Sequence, residues 1–369
     1  MTLSDAAEYL KSYDGRELRI MEICGTHTAG IRKNGIPSML SDRIRLITGP
    51  GCPVCVTVTG YIDRLIELSE DRKNVIVSFG DLLRVPGSEM SLTQAGAQGA
   101  DIRYVYSPMD MLKLAKEDRS HIYIFAAVGF ETTAPVYAAL ISEAEQNGID
   151  NIRLLTSLKT MPEAIRKVSE GIDGFLAPGH VAVITGTGEY AGMAEELGIP
   201  FVISGFEGGE LLASLYALTK LAAKKDAGCM NLYPRAVKDE GNKEARRSVG
   251  MIFKKGDAAW RGLGVIPGSG LFLREEYKRY DAGSRDIIRD NEPEGCRCAD
   301  VITGRLASKE CPLFGKICTP EHPVGACMVS AEGACFNNYD SSLIPGPWQV
   351  RKKRDHCMDR DNMLYICSV

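Results

Sequence analysis

The sequence predicts an α/β fold built on one or two mainly parallel sheets. Short β-branched runs alternate with helical patterns from Leu18 to about Lys225, and strands separated by helices cross over and pair in parallel. The longest apolar stretches, such as 122–128, are strand-sized. With 369 residues, 44% of them hydrophobic, the chain can bury more than one core.

The strand runs are 18–23, 44–47, 75–79, 102–105, 122–128, 152–155 and 201–203. Helices fit between them. In 58–69, Ile62, Leu65, Ile66 and Leu68 give an apolar face, and Asp63, Arg64, Glu67 and Glu70 a charged one. The run Ile124-Phe125-Ala126-Ala127-Val128-Gly129-Phe130-Glu131 echoes Pro200-Phe201-Val202-Ile203-Ser204-Gly205-Phe206-Glu207. This suits two related α/β halves, although strand-glycine-helix joints also resemble one another in unrelated folds. Between Gly228 and Ala282 the pattern loosens into glycine-rich and charged stretches. After Asp286 periodicity gives out while cysteine density rises, as where a cofactor organises the chain in place of a large core.

Charge and composition narrow the function. The 44 basic and 48 acidic residues leave a net charge of -4, and the one dense basic run, Arg351-Lys352-Lys353-Arg354, ends in Asp355. Nucleic acid is therefore not an expected partner. The N-terminus is polar with no apolar core, so a cytoplasmic protein without a membrane anchor is expected. Twelve cysteines in such a chain point to metal or redox chemistry.

The cysteines form two centres. Near the C-terminus Cys298, Cys311, Cys318 and Cys335 are spaced C-x12-C-x6-C-x16-C, among Pro312, Gly315, Pro320, Pro323, Gly325 and Gly333. Four thiolates on loops suit a [4Fe-4S] cluster. Zinc is the rival, but zinc ribbons show paired C-x2-C knuckles that this segment lacks. Cys296 and Cys327 can substitute for one of the four, and Cys357 and Cys367 read as bystanders.

The second centre is early. Cys24 lies in Met21-Glu22-Ile23-Cys24-Gly25-Thr26-His27-Thr28 at a strand end, and Cys52 and Cys55 in Gly49-Pro50-Gly51-Cys52-Pro53-Val54-Cys55 at another. Parallel sheets bind ligands at such ends. A C-x2-C pair at a helix N-terminus is expected to have a lowered thiol pKa and to cycle between dithiol and disulfide; the bland reading is buried small residues or half a zinc site. Two further strand exits carry polar groups: Gly129-Phe130-Glu131-Thr132-Thr133 and Pro178-Gly179-His180. Helix capping by Glu131, Thr132 or Thr133 and a satisfied turn histidine at His180 are the structural alternatives, and His27 taken alone reads as a hydrogen-bonding residue. Gly186-Thr187-Gly188 with Gly192 follows an apolar run, but its third glycine falls one residue late for a dinucleotide fingerprint.

Taken together, MEICGTHT, GPGCPVC, GFETT, PGH and the spaced C-terminal cysteines resemble the HypD family of hydrogenase maturation factors, over nearly the whole chain. Some family members carry a second histidine after the first motif, where this chain has Ala29. The resemblance implies two similar Rossmann-like α/β domains around a cleft, expected at 1–140 and 141–283 with the chain free to cross between them, and a cluster domain at 284–369. It implies a redox-active scaffold on which iron acquires two cyanides and one carbon monoxide, with the partners HypC and HypE, the latter donating cyanide. Cys24 with Cys52 or Cys55 would hold the transient iron, and Cys298, Cys311, Cys318 and Cys335 the [4Fe-4S] cluster. His27, Glu131, Thr132, Thr133 and His180 would line the cleft. The alternatives are a cluster-linked reductase of protein disulfides, which has no need of a third thiolate at Cys24, and a zinc-stabilised binding module.

Overall fold

Eleven strands form two sheets in the computed structural model, which describes residues 2–339. They are β1 Leu18–Glu22, β2 Ile44–Thr48, β3 Asn74–Ser78, β4 Ile102–Tyr104, β5 Ile122–Gly129, β6 Ile152–Lys159, β7 Gly174–Pro178, β8 Phe201–Ser204, β9 Cys229–Asn231, β10 Phe253–Trp260 and β11 Gly264–Leu273. The first sheet has order β2-β1-β7-β8-β9 and is parallel throughout. The second has order β10-β11-β6-β5-β3-β4, parallel from β6 to β4 and antiparallel across β10, β11 and β6. This is the Rossmann-like α/β architecture expected from the alternating pattern.

Strand β5 shows why the pattern was legible. Tyr123, Phe125 and Ala127 pack under helix Ala134–Gln146 through Tyr137 and Ile141, while Ile124, Ala126 and Val128 pack on the other face against Tyr61, Ile62 and Leu65 of helix Thr59–Ser69. A strand covered on both faces reads as a continuous apolar run. In the first sheet, Ile20, Leu176 and Val202 bury against Leu211, Leu215 and Leu218 of helix Gly208–Lys224, each leucine contributing about 2 kcal/mol. Met21, Ile23, Phe175, Phe201 and Ile203 turn to the opposite face, into a core that also holds Phe130 and Trp260 of the second sheet.

The sheets are interleaved in sequence, the chain crossing between them. Strands β1 and β2 join β7 to β9, while β3 to β6 join β10 and β11, so the chain passes between sheets three times. Local periodicity identifies strands but carries no information on their partners. The loosened stretch 228–282 holds helix Lys243–Ile252 and the β10–β11 hairpin. These strands alternate buried and accessible residues around glycines, which hid them. The apolar run before Gly186 is part of helix Gly179–Thr185, and Gly186 passes directly into helix Thr187–Leu197. A dinucleotide fingerprint needs a strand there, so that reading falls. The two copies of the internal echo lie at the ends of β5 and β8, one in each sheet.

Beyond residue 286 the chain forms short pieces: helix Cys298–Ile302, 3-10 turns Ser308–Glu310 and Ala326–Met328, and helix Ala334–Asn338. Cys357, Cys367 and the basic run at 351–354 lie outside the described residues. Among the described residues no helix is long and apolar enough to cross a membrane.

Candidate thiol site at the strand ends

Each N-terminal motif leaves the C-terminal end of a first-sheet strand. Strand β1 delivers Cys24 as the N-cap of helix Gly25–Lys33, and β2 delivers the turn holding Cys52 and Cys55. The two are locked together: Gly25 N–H donates to Gly51 O at 3.0 Å and Gly49 N–H to Glu22 O at 2.7 Å. Gly51 is indispensable here, since a Cβ would overlap the backbone of Ile23 and Cys24.

Cys24 lies between two carboxyls. Its N–H donates to Glu22 Oε2 at 3.0 Å, and the Thr28 hydroxyl donates to Glu22 Oε1. Burial pushes the Glu22 carboxyl up to about 7. Glu332, from the C-terminal segment, packs on Gly25 and accepts from Thr26 Oγ1 at 2.8 Å. Burial, then the charge of Glu332, pushes the Cys24 thiol up to about 12.

Cys55 N–H donates to Cys52 Sγ at 3.2 Å, and Cys55 Sγ lies 3.9 Å from Ala326 O. The expected lowering of the pair's thiol pKa does not hold for Cys55, which burial pushes well above its ordinary value. The helix that follows starts only at Thr59, and its first amides are already engaged: Thr59 N–H donates to Asp290 Oδ1 at 3.2 Å and Gly60 N–H to Arg289 O at 2.9 Å. Little of the helix dipole is left for the thiols.

The C-terminal cysteines converge on the same core. Cys298, Cys318, Cys327 and Cys335 are buried, with Cys296 and Cys311 half-buried. Cys327 Sγ stands 3.1 Å from Cys335 Sγ. Hydrogen bonding from Cys327 holds the Cys298 thiol below its ordinary value, while Cys327, between Cys298 and Cys335, is raised. Val324 N–H points at Cys318 Sγ from 3.4 Å, and a Cβ on Gly325 would come within 2.8 Å of Cys296 Sγ. Thiols with amide donors aimed at sulfur, around glycines that leave room, are the donor chemistry of a thiolate-bound iron centre. Among the described residues no three Cys, His, Asp or Glu side chains stand in a ready metal-binding arrangement, so donor type carries this fit and the geometry does not select four ligands from six.

The remaining predicted residues fall in two places. His27 is fully buried and His180 is exposed, yet both meet Phe206: His180 stacks on it with ring centroids 3.7 Å apart, and His27 packs tilted against it at 4.9 Å. Neither nitrogen of His27 has a hydrogen-bond partner among the described residues, and burial lowers its pKa to about 3; it is not the hydrogen-bonding residue expected of a lone histidine. Glu131 caps a different helix from the one expected. Its Oε1 accepts from Met161 N–H at 2.7 Å, at the start of helix Met161–Val168, while Oε2 is buried without a partner among the described residues and burial pushes the carboxyl up to about 7. The Thr133 hydroxyl donates back to Phe130 O at 3.1 Å, and Thr132 is half-buried. Glu131 lines a crevice with Tyr190, Val181 and Met193 that is too narrow for water. An open cavity of about 470 Å³ lies elsewhere, among Tyr9, Tyr13, Arg16 and Ala223, with no cysteine of the described residues in its lining.

The match to known proteins follows this geometry. The family model HypD, described as "Hydrogenase formation hypA family", matches residues 2–342. The chain belongs to the HypD family. It is 40% identical over 343 residues to the hydrogenase maturation factor HypD of Escherichia coli, covering 90% of this chain and 91% of that protein. Its HypD relatives in Rhodobacter capsulatus and Cupriavidus necator are 40% and 39% identical, over 87% and 88% of this chain and 88% and 90% of theirs.

Sequence reasoning missed Glu22, Tyr190, Arg261 and Glu332 in this HypD-family site. Glu22 carried a signal, as a carboxylate inside the apolar run that ends at Cys24. Tyr190, Arg261 and Glu332 carried none, because only the tertiary fold brings their segments to the thiols.

Proposed function

We propose that this HypD-family chain is a redox-active scaffold on which iron acquires its cyanide and carbon monoxide ligands, in complex with HypC and with HypE as the cyanide donor. The observation that carries the reading is the meeting, in one buried core, of the Cys52–Cys55 pair with Cys298, Cys318, Cys327 and Cys335, while Cys24 lies buried against Gly51 of the same turn. The iron is cargo, held by Cys24 and one thiol of the pair. Cys52 follows Gly51, which abuts Cys24, whereas Cys55 abuts the segment of Cys298 and Ala326. Cys52 is therefore the second iron thiolate and Cys55 the thiol nearest the source of electrons.

The buried thiols of Cys24 and Cys55 stay protonated until a metal replaces their protons, so iron loading releases protons. Glu22 and Glu332 flank Cys24 and accept hydrogen bonds already, which places proton acceptors beside it. His27, with both ring nitrogens unsatisfied, and Glu131 offer a donor or an acceptor to ligands of the iron. Cys298, Cys311, Cys318 and Cys335 are the proposed ligands of a [4Fe-4S] cluster, which when bound supplies single electrons.

Infrared spectroscopy of the anaerobic complex with its small partner tests this, comparing the native chain with Cys24→Ala. Bands of iron-bound cyanide and carbon monoxide in the native complex, absent from the variant, are expected. A brown, iron- and sulfide-containing native complex without such bands, from cells maturing hydrogenase, overturns the scaffold in favour of a cluster-linked disulfide reductase.

A further inference from the structure

Arg261 is a wholly buried cation without an adequate counter-ion. It follows Trp260 at the end of β10, and its backbone N–H donates to Val56 O at 2.8 Å while Nε donates to Thr57 O at 2.7 Å. Those carbonyls belong to the turn immediately after Cys55. On the other side Gly262, at φ +72°, lies so close to helix Cys298–Ile302 that a Cβ on it would overlap Ala299. Arg261 is thus anchored on the turn after Cys55, with its chain neighbour Gly262 against the helix that begins at Cys298.

Its charge is unmatched. Neither Nη1 nor Nη2 has a hydrogen-bond partner among the described residues. Among the described residues Asp290 supplies the one carboxylate within 4 Å, with Oδ1 3.9 Å from Nε, and its oxygens already accept from Thr59 N–H and Gly262 N–H at 3.2 Å each. Nearby Lys159, also buried, has Ser157 Oγ at 2.6 Å and can shed its proton. An arginine keeps its charge. A buried charge whose Nη groups lack partners is retained only where something anionic offsets it, and at the start of helix Cys298–Ile302 the groups that become anionic are the Cys298 sulfur and Glu292, whose Oε1 accepts from Ala299 N–H at 3.0 Å.

We infer that Arg261 is an electrostatic positioning residue for the cluster site, its charge offsetting the thiolate of Cys298 and favouring the cluster state that carries one more electron. This rests on the reading of Cys298 as a cluster ligand. The step is a one-electron reduction by a low-potential donor, with no bond made or broken, and Arg261 raises the potential at which it occurs. Arg261 shares two hydrogen bonds with the turn after Cys55, one from its backbone N–H and one from its guanidinium, so the same residue holds the electron source beside the dithiol.

The test is anaerobic potentiometric titration of cluster absorbance, with dithionite as reductant, on the full native chain and on Arg261→Met, Arg261→Lys and Asp290→Asn, with iron and sulfide measured for each. Arg261→Met is expected to lower the reduction equilibrium constant at least tenfold, a fall of about 59 mV for a one-electron couple. Arg261→Lys should stay within threefold of native, and Asp290→Asn should shift the couple upward by at least threefold. An Arg261→Met chain with native iron and sulfide and a midpoint within threefold of native overturns the inference. Should that variant fail to hold iron, Asp290→Asn decides, and no shift or a downward one overturns it. A native chain without iron and sulfide overturns the cluster reading and this inference together, whereas unshifted variants of an iron-loaded chain overturn the inference alone.

Discussion

The two cysteine regions are held by different physics. Cys24, Cys52 and Cys55 stand at the ends of β1 and β2, where parallel pairing such as Met21 with Ile47 sets their positions before any ligand arrives. The six cysteines from Cys296 to Cys335 stand on turns and helices of five residues or fewer, where side chains such as Leu313 and Met328 supply a thin core. A site on a sheet edge is prepared by the fold. A site on such loops depends on what the thiols bind.

The sharpest way to break this comparison is to remove one thiol from each region. Cys318→Ala is expected to lose essentially all sulfide, with the iron bound to it, from anaerobically isolated protein and to expose 296–339 to proteolysis, while Cys52→Ala keeps sulfide at the native level and loses at most the cargo iron. Iron and sulfide assays with limited digestion read the outcome, and equal sulfide loss in both variants would collapse the distinction.

Gly51→Ala probes the prepared edge. Its methyl group would overlap the backbone of Cys24 and Ile23, where no side chain can swing aside, so a loss of about 3 kcal/mol or more is expected in denaturant unfolding. A value below 1 kcal/mol would mean that the strand ends yield more readily than their packing implies.

The pH dependence of stability gives a third test. Burial raises the Glu131 carboxyl from 4.5 to about 7. The folded state therefore binds this proton more tightly than the unfolded chain does. That contribution is complete below pH 4.5 and lost as pH rises through 7, on the order of 3 kcal/mol in all. Glu131→Gln should remove this part of the slope in unfolding curves between pH 4.5 and 7.5; an unchanged slope would show the carboxyl to be solvated.

The smallest effect is expected at Cys229, half-buried on edge strand β9, three places from β1 in the sheet. Cys229→Ser should change stability by less than about 1 kcal/mol and leave iron and sulfide unaltered. Loss of iron there would mean that a thiol outside the two regions takes part.

These regions also differ in what their sequence revealed. Strand β5 could be read directly because a strand covered on both faces must be apolar along its length, and Cys24 was legible because it ends such a run. The β10–β11 hairpin was hidden, since accessible lysines and glycines interrupt it. Spacing picked out Cys298, Cys311, Cys318 and Cys335 as a set, but it could not show that Cys327 packs against Cys335, which is a matter of how a turn folds back. Nor could it pair Glu332 with Thr26 across 306 residues. Motifs expose chemistry that is local in the chain, while the groups that tune it arrive from elsewhere.

The interleaving of the sheets bears on how the chain comes off the ribosome. Strands β1 and β2 emerge with Cys24 and Cys52 long before β7 supplies their neighbour in the sheet, and Arg261, Cys298 and Glu332 emerge later still. A nascent chain halted before residue 296 would hold every described strand of both sheets and still lack the segment around Ala326 and Glu332 that packs on Cys55 and Gly25, so the dithiol is covered only after both sheets have been made.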